Sequence, residues 1–322
     1  MSSQSQKSRE GKEVMRQTWE PWGQDTKKVN VDGKSLSYLD ARRKRFDVTR
    51  HARFNHRKEA FQDTLFRQRD HIQDLVRRHL RVPVNNVHIP DVADWIYGRH
   101  NVNIPIGVNN RPRVFFRVSL PYKVGELHQK GNGDEKLRCE IAAYKWIAEH
   151  FPTVPIAQLH GLADVWNDGV FDDNRREIFL RNFASILVSL NTVEHPRIGS
   201  WTTDDEGEIS LTNRPLTEHL LFMENEGVKT ISRYATYEAA DLYAMDLLKC
   251  HDNWLEEVPP AFHNRSEGKR RLADVVVMRS LLSRYLTPEY RRRPFLFTLT
   301  GLDRGDIFVD DHWNIVGIID LE

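Results

Sequence analysis

The sequence predicts a mixed α+β fold. Three observations carry this expectation. Short apolar runs separated by turn residues fill residues 87–120. Apolar residues then recur at three- and four-residue steps over several longer stretches. The last stretch, Phe295 to Glu322, returns to strand-like runs broken by turns. At 322 residues the chain can bury a sizeable core.

Taken in order, residues 1–57 are polar and basic and read as a flexible tail, in which Trp19 and Trp22 stand out. A helix is expected from about Lys58 to Arg81, with Phe61, Leu65, Phe66, Ile72, Leu75, Val76 and Leu80 as its apolar positions, and Pro83 stops it. Val102–Val108 and Val114–Val118, joined by Asn109, Asn110, Arg111 and Pro112, give a hairpin signal that leaves Arg117 in mid-strand. Alternation puts Phe115, Arg117 and Ser119 on one face. Asp134–Phe151 reads as a helix capped by Asp134, with Leu137, Ile141, Tyr144 and Ile147 as its stripe. Glu140 lies beside that stripe, where a carboxylate is costly unless paired. Its candidate partners are Arg117 across the fold, or Arg138 and Lys136 on the rim. Further helices are expected at Asn174–Leu190, about Ala235–Cys250 and Arg270–Leu286. The acidic run Asp204–Glu208 reads as a hairpin turn rather than a metal cluster. A core strand, Phe295–Thr298, follows.

Composition excludes several classes. Hydrophobic content of 39% and charged content of 29% fit an ordinary soluble protein. No apolar run approaches the length that spans a bilayer and no secretory signal is visible, so no membrane association is expected and a cytoplasmic location is the default. The only cysteines, Cys139 and Cys250, lack a CxxC partner. No Walker loop, GxGxxG, GxSxG or HExxH motif is present. Net charge is +1, yet residues 41–81 carry 13 Lys+Arg against 5 Asp+Glu. The arm at residues 41–58 is thus a candidate for nucleic-acid contact, although such runs are more often a solvated face.

The residues with chemistry to offer cluster at the end of the chain. Asp306 and Asp320 sit at the ends of two neighbouring apolar runs, and hard oxygen donors so placed suit Mg²⁺. Capping of a turn and of a strand end is the plainer role for the same two residues.

This final segment resembles the catalytic and metal-binding loops of the fungal aminoglycoside-phosphotransferase-like family. There a His-Thr-Asp-Leu-His run is followed three residues later by Asn, then by Ile-Phe-Val-Asp and, after another strand, by Ile-Asp-Leu-Glu. Laid on this chain, Leu299 stands in place of the first His, Gly301 of the catalytic Asp, Asp303 of the second His and Asp306 of the metal-binding Asn. Asp320 matches the second metal-binding Asp. Upstream, residues 98–104 look like the family's first strand and nucleotide-covering turn. Residues 113–117 look like the strand of the phosphate-binding base, with Arg117 in place of Lys. Residues 134–140 look like the opening of the helix whose Glu pairs with that base. Residues 210–215 and 224–227 look like further landmarks. The match covers about residues 65–322.

The resemblance implies a two-lobed protein-kinase-like fold. A small β-rich N-lobe would span 58–163. A shortened helical C-lobe would span 164–322 and end after the metal-binding loop. The strands and adenine-binding hinge that normally follow residue 161 are missing from the pattern. The resemblance selects Arg117 as the partner of Glu140, gives this pair to the nucleotide and gives Asp306 and Asp320 to Mg²⁺. With ATP and Mg²⁺ as implied cofactors and Gly301 unable to accept a proton, a catalytically impaired kinase-like protein is expected. Two alternatives stand beside it. One is an active ATP-dependent phosphotransferase acting on a small-molecule hydroxyl, with Asp303 as substitute base. The other is a kinase-like scaffold turned to different biosynthetic chemistry, with the basic arm engaging RNA such as an aminoacyl-tRNA.

Overall fold

The computed structural model describes residues 28–31, 34–37, 48–109, 111–156, 173–258, 264–292, 294–302 and 306–321. These form a mixed α+β structure of seven helices and small antiparallel sheets, in two compact units, Met1–His56 and Arg57–Glu322. No helix among the described residues is long and apolar enough to cross a membrane.

The first unit holds an antiparallel hairpin, β1 (Lys28–Val31) and β2 (Lys34–Ser37), and the opening turns of helix α1 (Val48–Arg67). The segment 1–57, read from sequence as a tail, therefore carries regular structure at these positions. Trp19, Trp22 and residues 41–47 of the basic arm lie outside the described residues, and residues 48–58 form the first half of α1. The single helix expected over 58–81 is two helices, α1 and α2 (Arg69–Leu80), broken at Gln68, whose N–H bonds Leu65 O at 3.0 Å in a tight turn. The early start has a simple cause. Arg and Lys are good helix formers without being apolar, so hydrophobic period detects only the packed part of such a helix. Arg81 closes α2 in the left-handed conformation (φ 55°), two residues before Pro83.

In the second unit, β5 (Asn101–Val108) is the central strand. It pairs with β6 (Arg111–Ser119) along one edge and with the short strands β3 (Val87–His88) and β4 (Ile96–Tyr97) along the other. Val102, Ile104 and Ile106 are wholly buried, and the register sets Asn103 opposite Arg117. Helix α3 (Asn132–His150) follows. Its cap is not Asp134, which lies inside the first turn. Instead the Glu126 carboxylate accepts from Gly131 N at 2.8 Å and Gly133 N at 2.9 Å. Gly131 is required here: its φ is 87°, and an added Cβ would stand 2.9 Å from Arg233 Nη1.

The buried face of α3 corrects the expected stripe. Leu137 and Ile141 are exposed, at 48% and 39%, while Glu135, Lys136, Cys139, Glu140, Ala143, Trp146 and Ile147 are buried. The helix turns Glu135, Lys136 and Glu140 inward because each finds a partner there.

The remaining elements are α4 (Asp173–Leu190), β7 (Glu194–His195), β8 (Ser200–Thr203), β9 (Ile209–Asn213), α5 (Glu218–Asn225), α6 (Ala240–Glu257), α7 (Arg265–Tyr285), β10 (Phe295–Leu296), β11 (Ile307–Val309) and β12 (Ile315–Ile318). As expected, 204–208 is the turn between β8 and β9, with Glu208 N bonding Asp204 Oδ1 at 2.8 Å. Helix α6 starts five residues later than expected and α7 five residues earlier. The strand expected at Phe295–Thr298 shrinks to two residues paired with β7. The main core joins Trp146, Ile147 and Phe151 of α3 to Ile186 and Leu190 of α4 and to Ile307, Val309, Ile315, Ile318 and Leu321. The last β-hairpin is thereby fixed against α3. Ile318 and Leu321, which bracket Ile319 and Asp320, have no exposed surface.

A buried polar network sets the other end of α3. Arg214, 2% exposed, donates to Glu135 through Nε and Nη2, both at 2.9 Å, and to Glu224 through Nη1 at 2.5 Å and Nη2 at 3.1 Å. Glu135 also accepts from Asn213 Nδ2 and Arg233 Nε, both at 3.0 Å, and Glu224 accepts from Asn132 Nδ2 at 2.6 Å and from Thr230 Oγ1. Removing Arg214 leaves two buried carboxylates short of a cation. Arg214→Ala is expected to destabilise the chain by about 3–5 kcal/mol, read as a lowered urea midpoint at unchanged slope. A loss below about 1 kcal/mol would show that water reaches these groups.

Candidate active site

The candidate site is a polar cleft of about 320 Å³. Tyr97–Asn101 and Arg117 form one wall, and Gly301, Asp306, Ile319 and Asp320 form the other, with Glu218 at the edge. Arg117 stands at its centre. Strand β6 carries it inward on the same face as Phe115 and Ser119. Its Nη1 lies 3.1 Å from Glu140 Oε1, the pairing that the sequence left open against the rim alternatives. Its Nη2 pairs with Asp320 Oδ1. Asn101, with its amide oxygen turned toward Arg117, accepts from Nε at 3.1 Å and donates to Ser119 Oγ at 3.3 Å.

Lys136 is the second cation of the cluster. It is fully buried one helical turn before Glu140, 3.6 Å from Glu140 Oε2 and 3.3 Å from Asp320 Oδ1. Sequence reasoning placed it on the rim as an alternative partner for Glu140. The i, i+4 spacing was the visible signal, and the burial was not. A lysine is buried in this way only when carboxylates surround it.

Asp320 occupies the left-handed region with φ 61°. For a residue with a Cβ this costs on the order of 1–2 kcal/mol, and Asp tolerates it better than most. Burial works against ionisation of its carboxyl, but Lys136 and Arg117 overcome this and hold its pKa below the ordinary value. Asp306 lines the same cleft, and its backbone oxygen accepts from Ile319 N at 2.8 Å, tying the two acidic segments together. Gly301 also lines the cleft. Asp303, the candidate substitute base, lies outside the described residues, as does 157–172, where the adenine hinge is missing from the pattern.

Charge decides what this cleft accepts. Among the described residues, the cations Arg99, Arg117 and Lys136 face the carboxylates Glu140, Glu218, Asp306 and Asp320. His100 adds no charge at neutral pH. Burial, followed by the nearby Lys136, pushes its pKa down to about 4. Cations and carboxylates thus nearly balance in the cleft. Two carboxylates at the ends of one hairpin supply the hard oxygen donors that Mg²⁺ takes, completed by ligand oxygens. No group of three or more His, Cys, Asp or Glu among the described residues is arranged to hold a metal alone.

Compared with known proteins, the chain matches no family model, no curated protein and no solved structure.

His100 gives a pH test. Its folded pKa of about 4 lies below its ordinary 6.5, so between these values the unfolded chain binds more protons. The stability contributed by His100 is full above about pH 6.5 and declines as pH falls toward about 4. Denaturant midpoints measured across this range should drop more for the wild type than for His100→Gln. Parallel pH profiles would show that His100 is solvated.

Proposed function

We propose that this chain is a two-lobed, kinase-like protein of the aminoglycoside-phosphotransferase type that holds a Mg²⁺-nucleotide in the polar cleft and transfers phosphoryl groups poorly. The observation that supports this reading is the meeting of Arg117, Glu140 and Asp320. The resemblance gave Arg117 and Glu140 to the nucleotide and Asp320 to its Mg²⁺, although they come from residues far apart in the chain. In the structure Arg117 bridges the two carboxylates and lines the cleft.

In this reading Glu140 orients Arg117, and the guanidinium presents planar donors to phosphate oxygens. Lys136 holds Asp320 ionised. Asp306 and Asp320 offer carboxylate oxygens to Mg²⁺, which when bound neutralises charge on the phosphates. No side chain at Gly301 accepts a proton from an attacking hydroxyl. The loss of a general base typically slows such a reaction by about 10²–10⁴-fold. Asp303, two residues on, is the candidate for a partial substitute.

Calorimetric titration of the full chain with ATP, with and without Mg²⁺, tests this. Binding is expected only with Mg²⁺ and is expected to weaken by about tenfold or more in Asp320→Asn, which keeps the shape and removes the charge. No heat in a chain shown by circular dichroism to be folded would end the nucleotide reading. A second measurement addresses the missing base. Gly301→Asp should raise Mg²⁺-dependent ATP hydrolysis above the wild-type rate, up to about 10²-fold. An unchanged rate alongside intact binding would mean that residue 301 does not occupy the base position.

A further inference from the structure

A second cavity, of about 270 Å³, lies beside the polar cleft and differs from it in character. Its walls are largely apolar, and four aromatic rings, Trp201, Tyr243, Phe295 and Phe297, line it. Behind them Trp146 stacks on Trp201 at 5.8 Å and on Phe297 at 5.0 Å between ring centroids, so the wall is held by core packing. An apolar cavity of about 150 Å³ already suffices to hold benzene. This one has room for a single ring with a short substituent.

His195 and Trp201 both line the cavity, and their buried ring nitrogens, Nε2 and Nε1, have no hydrogen-bond partner within the described structure. An indole N–H can only donate. Burial, then the neighbouring His150, lowers the pKa of His195, which keeps the imidazole neutral at pH 7. Arg197 also lines the cavity. It donates to Thr236 Oγ1 at 3.0 Å, and its carboxylate contact, Glu238, is distant at 3.9 Å and largely exposed. The walls thus favour a flat ring, and Arg197 favours a ligand that brings negative charge.

We infer that this cavity is a binding site for a small aromatic carboxylate, its ring against Trp201 and Phe297 and its carboxylate toward Arg197. The site is separate from the phosphate-type cleft and does not depend on the function proposed for it. The two share walls. Thr300 and Leu321 line the aromatic cavity, while their chain neighbours Gly301 and Asp320 line the cleft.

The test is calorimetric titration of the full chain with 3-phenylpropanoate and with 3-phenylpropan-1-ol, the same ring without the charge. Saturable binding of the acid is expected, weaker by about tenfold for the alcohol and weakened similarly in Arg197→Gln but not in Arg99→Gln. Arg197 is half-exposed and makes one short hydrogen bond to a side chain, so its replacement leaves the core intact. Three results would overturn the inference: no saturable binding at millimolar concentration, equal affinity for acid and alcohol, or loss on Arg99→Gln instead. The last would move the ligand into the polar cleft.

Discussion

The described structure of the second unit depends on one buried guanidinium. Arg214 sits between Glu135 and Glu224, and each carboxylate is saturated by further donors from Asn132, Asn213, Thr230 and Arg233. Burying such charges is expensive, and the arrangement persists only because hardly any oxygen or N–H is left over. Satisfying it ties the start of α3 to the end of β9, to α5 and to the loop before α6. The rotation of α3 about its own axis is then no longer free. One residue after Glu135 comes Lys136, and a turn later Glu140, both turned inward.

That rotation builds the cleft. With α3 fixed, Lys136 and Glu140 meet Arg117 from β6 and Asp320 from the end of the last hairpin. Ile318 and Leu321 anchor the hairpin in the core, and Asp320 takes a left-handed backbone conformation to point its carboxylate at two cations. The cluster is nearly neutral as a whole. Each charge in it therefore has an opposite charge close by.

Much of this was legible beforehand. The hairpin carrying Arg117 followed from alternation and turn residues, and the 204–208 turn from its Gly and acidic run. The frame of the last hairpin followed from the spacing of Asp306, Ile307, Ile318 and Asp320. The face of α3 was misread. Hydrophobic period favoured Leu137 and Ile141, which are exposed, over Lys136 and Glu140, which are buried. A period count treats charge as a mark of the surface, and it fails where charges are buried in pairs. The cap of α3 was missed for a related reason, since Glu126 reaches back from outside the helix rather than standing at its first residue.

The sequence by itself determined the α+β class and the order of most elements, because local period, turn chemistry and spacing are properties of neighbouring residues, while Arg117, Glu140, Asp306 and Asp320 were named as a set by the resemblance. Tertiary structure alone decided that Arg214 holds two carboxylates, that Lys136 joins the cleft and that an aromatic cavity lies behind Asp320. Each of these joins groups from distant parts of the chain. Whether a charge is buried or solvated is settled by the partners that folding brings to it, and no local pattern names them.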